Sequence, residues 1–278
     1  MAAKKKVSAK KKVAAKKTVS AKKKVPAKKK VSAKKKAPKP TPPLPPVDHD
    51  PARRFGEPNW GTEWSTPVGA RIGRILDTLA RSYPEPTTAL TWQDPVHLLV
   101  ATILSAQCTD ERVNQVTPAL FRRYPTAAAL AAADPTELEA MIHSTGFFRA
   151  KARSIIGACE IIATRHGGAI PPSMEAMVEL PGVARKTANV VLGTALGLAT
   201  GVAVDTHVKR LAGRLALSSH TDTDKIEQDL MRVIPQERWI GFSHQLILHG
   251  RQVCQARKPR CGECPLAADC PSANIDPQ

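Results

Sequence analysis

From Val68 to Cys270 the sequence is punctuated as a series of helices and almost nowhere as strands. Asp94-Pro95 and Asp134-Pro135 each place a side-chain acceptor before a proline, pairing an N-cap with a first helical residue that needs no N–H. Apolar residues then recur at helical spacing. They predict helices over 97–107, 111–122, 135–142, 148–165, 185–199, 206–216, 224–233 and 237–253, with a short helix near 175–179. No run alternates apolar and polar residues for more than four or five positions, and there is no Asn-Gly or Asp-Gly turn. The folded part is therefore expected to be all-α, with short connections.

What precedes the helices cannot join them. Residues 1–46 hold 18 lysines, no arginine and no acid, and no leucine, isoleucine or aromatic residue before Leu44. The 278-residue chain has a formal charge of +18, from 42 Lys+Arg against 24 Asp+Glu. With 18 basic residues in the tail, the remaining 24 balance the 24 acids of a neutral body. That body is long enough for a sizeable core, whereas the tail has chain entropy to lose and nothing to bury. Its six-residue repeat (Lys4-Lys5-Lys6-Val7-Ser8-Ala9, then Lys10-Lys11-Lys12-Val13-Ala14-Ala15) matches neither helix nor coiled coil, and Pro26 interrupts it. We expect a disordered polycation over 1–46, ending in a polyproline II spacer from Pro38 to Pro46, and a linker over 47–66. Such a tail favours nucleic acid over an anionic membrane, since it has no group to insert into lipid. Neither a secretory signal nor an arginine-rich transit peptide fits it, and Val190–Val204, the most apolar stretch, is broken by three glycines. The expected location is cytoplasmic and nucleoid-associated, or nuclear in a eukaryote.

Four of the six cysteines crowd into the last 25 residues as Cys254-x6-Cys261-x2-Cys264-x5-Cys270. In a reducing compartment four thiolates at this spacing hold one tetrahedral zinc or one iron–sulfur cluster, and the spacing alone leaves both open. Arg257, Lys258 and Arg260 lie between the first two, in a basic loop suited to phosphate. Upstream, Leu180-Pro181-Gly182-Val183-Ala184-Arg185-Lys186 reads as a hairpin opening a helix. There, Gly182, Val183, Ala184 and Arg185 would offer backbone N–H groups and charge to a DNA phosphate. Only five lysines lie in the body, so Lys186 at the start of an apolar helix is unusual. Beside Arg185 and a positive helix end, its ammonium form is expected to be disfavoured, as an amine nucleophile requires. Asp205 in Val204-Asp205-Thr206-His207-Val208 precedes another helix, where an acid serves as an N-cap or as a catalyst.

These segments, with Leu104-Ser105-Ala106-Gln107-Cys108-Thr109-Asp110, Ser144-Thr145-Gly146-Phe147-Phe148 and Leu246-Ile247-Leu248-His249-Gly250-Arg251, resemble the endonuclease III family of base-excision DNA glycosylases and lyases in order and spacing, over about residues 70–272. The resemblance implies a bifunctional enzyme that removes oxidised pyrimidines from duplex DNA. Lys186 matches the nucleophile that forms a Schiff base at the sugar C1′, from which β-elimination cuts the abasic site. Asp205 matches the carboxylate that assists it. Gln107 matches the residue that fills the space left by the extruded nucleotide, Phe147 the apolar wedge, and Asp110 and His207 the lesion pocket. Cys254, Cys261, Cys264 and Cys270 match the ligands of one structural 4Fe-4S cluster.

The same resemblance implies two all-α lobes of helix-hairpin-helix type. A six-helix lobe over 89–199 carries the hairpin, and a second lobe, from 67–88 with 200–278, carries the cluster. The expected partner is double-stranded DNA with damaged bases or abasic sites, bound by a monomer and away from any membrane. Ala184 stands where the family commonly has a second glycine, so a methyl group that crowds the phosphate or restricts the backbone is expected to weaken hairpin binding without abolishing it. Cys108 follows Gln107 where a small residue is usual. Two other readings compete: an adenine glycosylase of the same superfamily, a branch that usually lacks the lysine matched by Lys186, and a non-enzymatic, histone-like protein acting through the lysine tail.

Overall fold

The computed structural model describes residues 67–274, so the expected tail over 1–46 and linker over 47–66 lie outside the described residues. Among the described residues are eleven α-helices and no strand. They are α1 (Pro67–Ser82), α2 (Pro95–Leu104), α3 (Asp110–Arg123), α4 (Ala127–Ala131), α5 (Pro135–Ile142), α6 (Phe148–Arg165), α7 (Met174–Val178), α8 (Arg185–Leu196), α9 (Thr206–Arg214), α10 (Thr223–Val233) and α11 (Trp239–Gln252). Short 3-10 turns occupy His143–Thr145, Gln236–Arg238, Cys261–Glu263 and Ala267–Asp269.

Short polar side chains start most of these helices. Asp94, Thr109, Thr126, Asp134, Ser173, Asp205 and Asp222 each accept from a first-turn backbone N–H. Each such cap stabilises its helix by about 1 kcal/mol. α6 and α8 start on Phe147 and Ala184 without a side-chain cap.

Several boundaries depart from the sequence expectation. α8 stops at Leu196 and not at 199, because the N–H groups of Gly197 and Leu198 fold back onto the carbonyls of Gly193 and Leu192. α2 stops at Leu104 and not at 107; Gln107 has φ 53°, which no right-handed helix accommodates. α4 was not expected, since five Ala and Leu residues carry no periodicity, and Thr126 is its one sequence signal.

The helices enclose two apolar cores. One runs from Leu90 to Ala195 through α2–α8 and is centred on α2, whose residues from Val96 to Leu104 are all buried. The other joins α1 with α9, α10, α11 and Leu266. Where the cores meet, contact is close and polar. A Cβ on Gly193 of α8 would lie 3.1 Å from Ile240 Cγ1 of α11. Thr194 Oγ1 lies 3.1 Å from His244 Nε2. Glu227 of α10, 3 % exposed, accepts two hydrogen bonds from Arg185 at 3.0 Å and one from Asn189 at 2.7 Å, both on α8.

Candidate nucleic-acid interface and lysine site

The hairpin between α7 and α8 is built for close approach. Gly182 has φ 77°, and a Cβ there would fall 2.6 Å from Ser154 Cβ on α6, so both the conformation and the space exclude a side chain. Val183 is buried and donates its N–H to Leu180 O at 3.1 Å, which closes the turn. Ala184 is exposed, with φ −94° and ψ 170°. That is ordinary extended backbone, so the restriction expected from a methyl group here does not arise. No side chain caps the first turn of α8, so its N–H groups, at the positive end of the helix dipole, are left to bind a phosphate.

Lys186 sits exposed on that first turn. Arg185, expected beside it as a free charge and a DNA contact, is instead committed to Glu227. The buried carboxylate balances the guanidinium, so Arg185 does not act beside Lys186 as the free cation expected from the sequence. Asp205 is half-buried and caps α9 through one oxygen, Oδ1, which accepts from the N–H of His207 and of Val208, each at 2.8 Å. Oδ2 takes no hydrogen bond among the described residues. Lys186 and Asp205 make no ion pair with each other.

His207 is half-buried, with Nδ1 3.2 Å from Arg210 Nη2. Burial first, and then Arg210 and Arg251, lower its pKa against the opposing pull of Asp205, so the ring is neutral at neutral pH. Asp110 receives Arg251 Nη2 on Oδ2 at 2.8 Å, joining α3 to α11. The pair lines an open cleft of about 410 Å³ with Cys108, Thr109, Glu111 and Asn114, and neither Lys186 nor Asp205 borders that cleft. Arg251 was not singled out from the sequence.

Gln107 and Phe147 are both exposed, outside the first core. Phe147 is 64 % exposed, and both residues occupy left-handed backbone, with φ 53° and 48°. Left-handed non-glycine residues cost about 1–3 kcal/mol each, and they cluster where a surface has work to do.

The four C-terminal cysteines are free, half-buried thiols that ring a cavity of about 180 Å³. Among the described residues no three Cys, His, Asp or Glu side chains converge on one ion position. Donors spread around a volume suit a four-iron cluster, in which each thiolate holds a different corner, better than one central zinc. Burial pushes the Cys264 and Cys270 thiols up, the N–H groups of Leu266 and Ser272 pull them down, and the neighbouring cysteines push them up again. A cationic core between the cysteines would favour the thiolate form of these two. Arg214 Nη1 donates to Cys254 Sγ at 3.1 Å, and His249, held neutral by burial with its pKa at about 4, lies 3.5 Å from Cys264 Sγ. Of the basic loop, Arg257 and Lys258 are exposed, whereas Arg260 bonds Glu263 and the Gln252 carbonyl and braces the loop.

Two family models match the chain: "HhH-GPD superfamily base excision DNA repair protein" over residues 100–236, and "Iron-sulfur binding domain of endonuclease III" over 254–270. Fold and cysteine loop together define the class, helix-hairpin-helix DNA-repair proteins with an iron–sulfur loop. Endonuclease III of Synechocystis sp. is 61% identical over 203 residues, 73% of this chain and 93% of that protein. Endonuclease III of Escherichia coli K12 is 43% identical over 190 residues, 68% of this chain and 90% of its own. The chain belongs to the endonuclease III family. A solved structure titled "Structure of a Trapped Endonuclease III-DNA Covalent Intermediate: Estranged-Adenine Complex" superposes with a TM-score of 0.69 at 40% identity, covering 73% of this chain and 96% of that one.

Proposed function

We propose that this chain removes oxidised pyrimidines from duplex DNA through a Schiff base at Lys186 and then cuts the resulting abasic site. Family membership makes it a DNA glycosylase and AP lyase with a 4Fe-4S cluster. The observation that carries the residue assignment is the uncapped start of α8, which sets an exposed lysine beside N–H groups free to hold a phosphate. In this reading Lys186 Nζ, as the free amine, attacks C1′; the bond to the base breaks, and the base leaves with a proton. Opening of the sugar ring converts the adduct to a protonated Schiff base. Loss of a proton from C2′ then breaks the C3′–O bond, and hydrolysis returns the amine. Asp205, ionised, takes the proton from the attacking amine or stabilises positive charge on the sugar. Cys254, Cys261, Cys264 and Cys270 would hold the cluster, which supplies structure to the basic loop and no chemistry to the reaction.

Gln107 fills the vacated stack, and Phe147 wedges beside it. Gly182, Val183, Ala184, Arg257 and Lys258 contact the backbone, with Asp110 and His207 near the extruded base. The two cores support lobes over 89–199 and over 67–88 with 200–274; residues 275–278, expected in the second lobe, lie outside the described residues. Among the described residues no helix is long and apolar enough to cross a membrane. We infer a monomer working on the nucleoid, a location supported by the bacterial origin of the relatives.

A panel of duplexes tests the substrate. Thymine glycol should be excised with a β-elimination cut, and adenine opposite 8-oxoguanine should remain; adenine release without a cut would assign the adenine branch instead. Deleting residues 1–46 should lower the slope of log K against log salt for DNA binding by several units, since 18 lysines leave with them, while single-turnover rates at saturation stay within about twofold. An unchanged slope would deny the tail any part in binding.

A further inference from the structure

Lys151 is a buried lysine that the chemistry above does not use. It lies on α6, is 5 % exposed, and its Nζ donates to Leu104 O at 2.7 Å and to Thr145 O at 2.8 Å. Leu104 is the last residue of α2, three before Gln107; Thr145 ends a 3-10 turn, two before Phe147. The Leu104 carbonyl has lost its helical partner, because the Cys108 N–H turns to Ser105 O at 3.1 Å. A buried cation between two helix ends satisfies carbonyls that would otherwise be orphaned.

The two segments so joined are also the strained ones. Among the described residues only three non-glycine residues have positive φ, and Gln107 and Phe147 are two of them. Between Thr145 and Phe147 stands Gly146 at φ 71°, ψ 159°, a region closed to any residue with a Cβ. Such backbone persists only where its surroundings over-determine it, yet the Gln107 and Phe147 side chains are themselves exposed. Local bonds steady the second turn, from Gly146 N to His143 O at 3.3 Å and from Thr145 Oγ1 to Ile142 O at 2.8 Å. Among the described residues Lys151 is the one side chain hydrogen-bonded to both turns.

We propose that Lys151 is a positioning residue that locks the Gln107 turn to the Phe147 turn, so that the two side chains enter the duplex as one rigid element. The proposal rests on the reading of Gln107 and Phe147 as groups that occupy the DNA stack. A lysine that merely stabilised the lobe would serve every substrate alike. A latch serves only substrates that need the stack opened and filled.

The test uses the full chain, with single-turnover rates at saturating enzyme on two duplexes. One carries thymine glycol opposite adenine. The other carries an abasic site opposite tetrahydrofuran, where no base has to be extruded and no orphan base remains. Lys151→Met, which keeps length and loses the donors, should slow the first by about tenfold or more and the second by less than about threefold. Equal losses on both, or none on either, overturn the latch. Gln107→Ala and Phe147→Ala should show the same split. If they show none, the stack-filling reading itself fails; if they split and Lys151→Met does not, the latch alone fails. Should Lys151→Met not fold, a double-mutant cycle decides in the wild-type background, since both probe residues are exposed and their truncation spares the core. Turns locked together predict losses that are non-additive by about fivefold or more, and additive losses overturn the proposal.

Discussion

Lys186→Ala is expected to yield no covalent adduct when borohydride is added to the protein on abasic or thymine-glycol DNA, and to lower base release and strand cutting by on the order of 10⁴-fold or more. Borohydride delivers hydride to C1′ of the C1′=Nζ iminium and leaves a stable secondary amine, so trapping reports that bond and nothing else. The substitution should leave the fold untouched: Lys186 is exposed, and alanine is the better helix former on a first turn. Thermal unfolding should therefore match wild type, and salt-dependent DNA binding should fall only by the share of one cation. Undiminished trapping would place the nucleophile elsewhere, and a lysine elsewhere in the body would then be sought among the few it contains.

Asp205→Asn should reduce single-turnover base release by about 10²–10⁴-fold, the range typical of losing a positioned proton acceptor. The choice of asparagine separates the two roles of the residue. Asparagine caps helices as well as aspartate does, so its amide oxygen can take over the bonds from His207 and Val208, and α9 should keep its start. What it cannot supply is the negative charge. A rate near wild type with unchanged stability would reduce Asp205 to a cap. A comparable loss of stability and rate would mean that the cap bonds, not the charge, had been disturbed.

Much of this architecture is legible in the sequence because the helix signals are strong and local. Asp134-Pro135 and the apolar spacing that follows place α5 at its observed residues, and α6 is likewise anticipated over 148–165. The misses share a cause: they depend on what a side chain meets across the fold. Arg185 reads as a free cation until Glu227, 42 residues away, claims it. Ala184 reads as a conformational restriction until its φ proves ordinary. Four cysteines leave zinc and cluster open until their arrangement around a cavity is seen. Lys151 is legible too, because the scarcity of lysine in the body that marks Lys186 applies equally to it. A charge among Ala152, Ile155 and Ile156 on one helix was the available signal.

The polar seam between the two cores has a mechanical consequence. Arg185 and Asn189 hold Glu227, Thr194 meets His244, and Asp110 meets Arg251, so α8 is fastened to α10 and α11, and α3 to α11. Opening the lobes like a hinge would strip a carboxylate that is 3 % exposed of its partners, a loss of several hydrogen bonds at once. The seam thus opposes opening of the two lobes, and a fit reached without opening them falls to bending of the DNA. Bending a duplex through tens of degrees costs about 1–6 kcal/mol, less where stacking is already broken. A lesion that weakens stacking therefore lowers the work of fitting a duplex to two lobes held by such a seam.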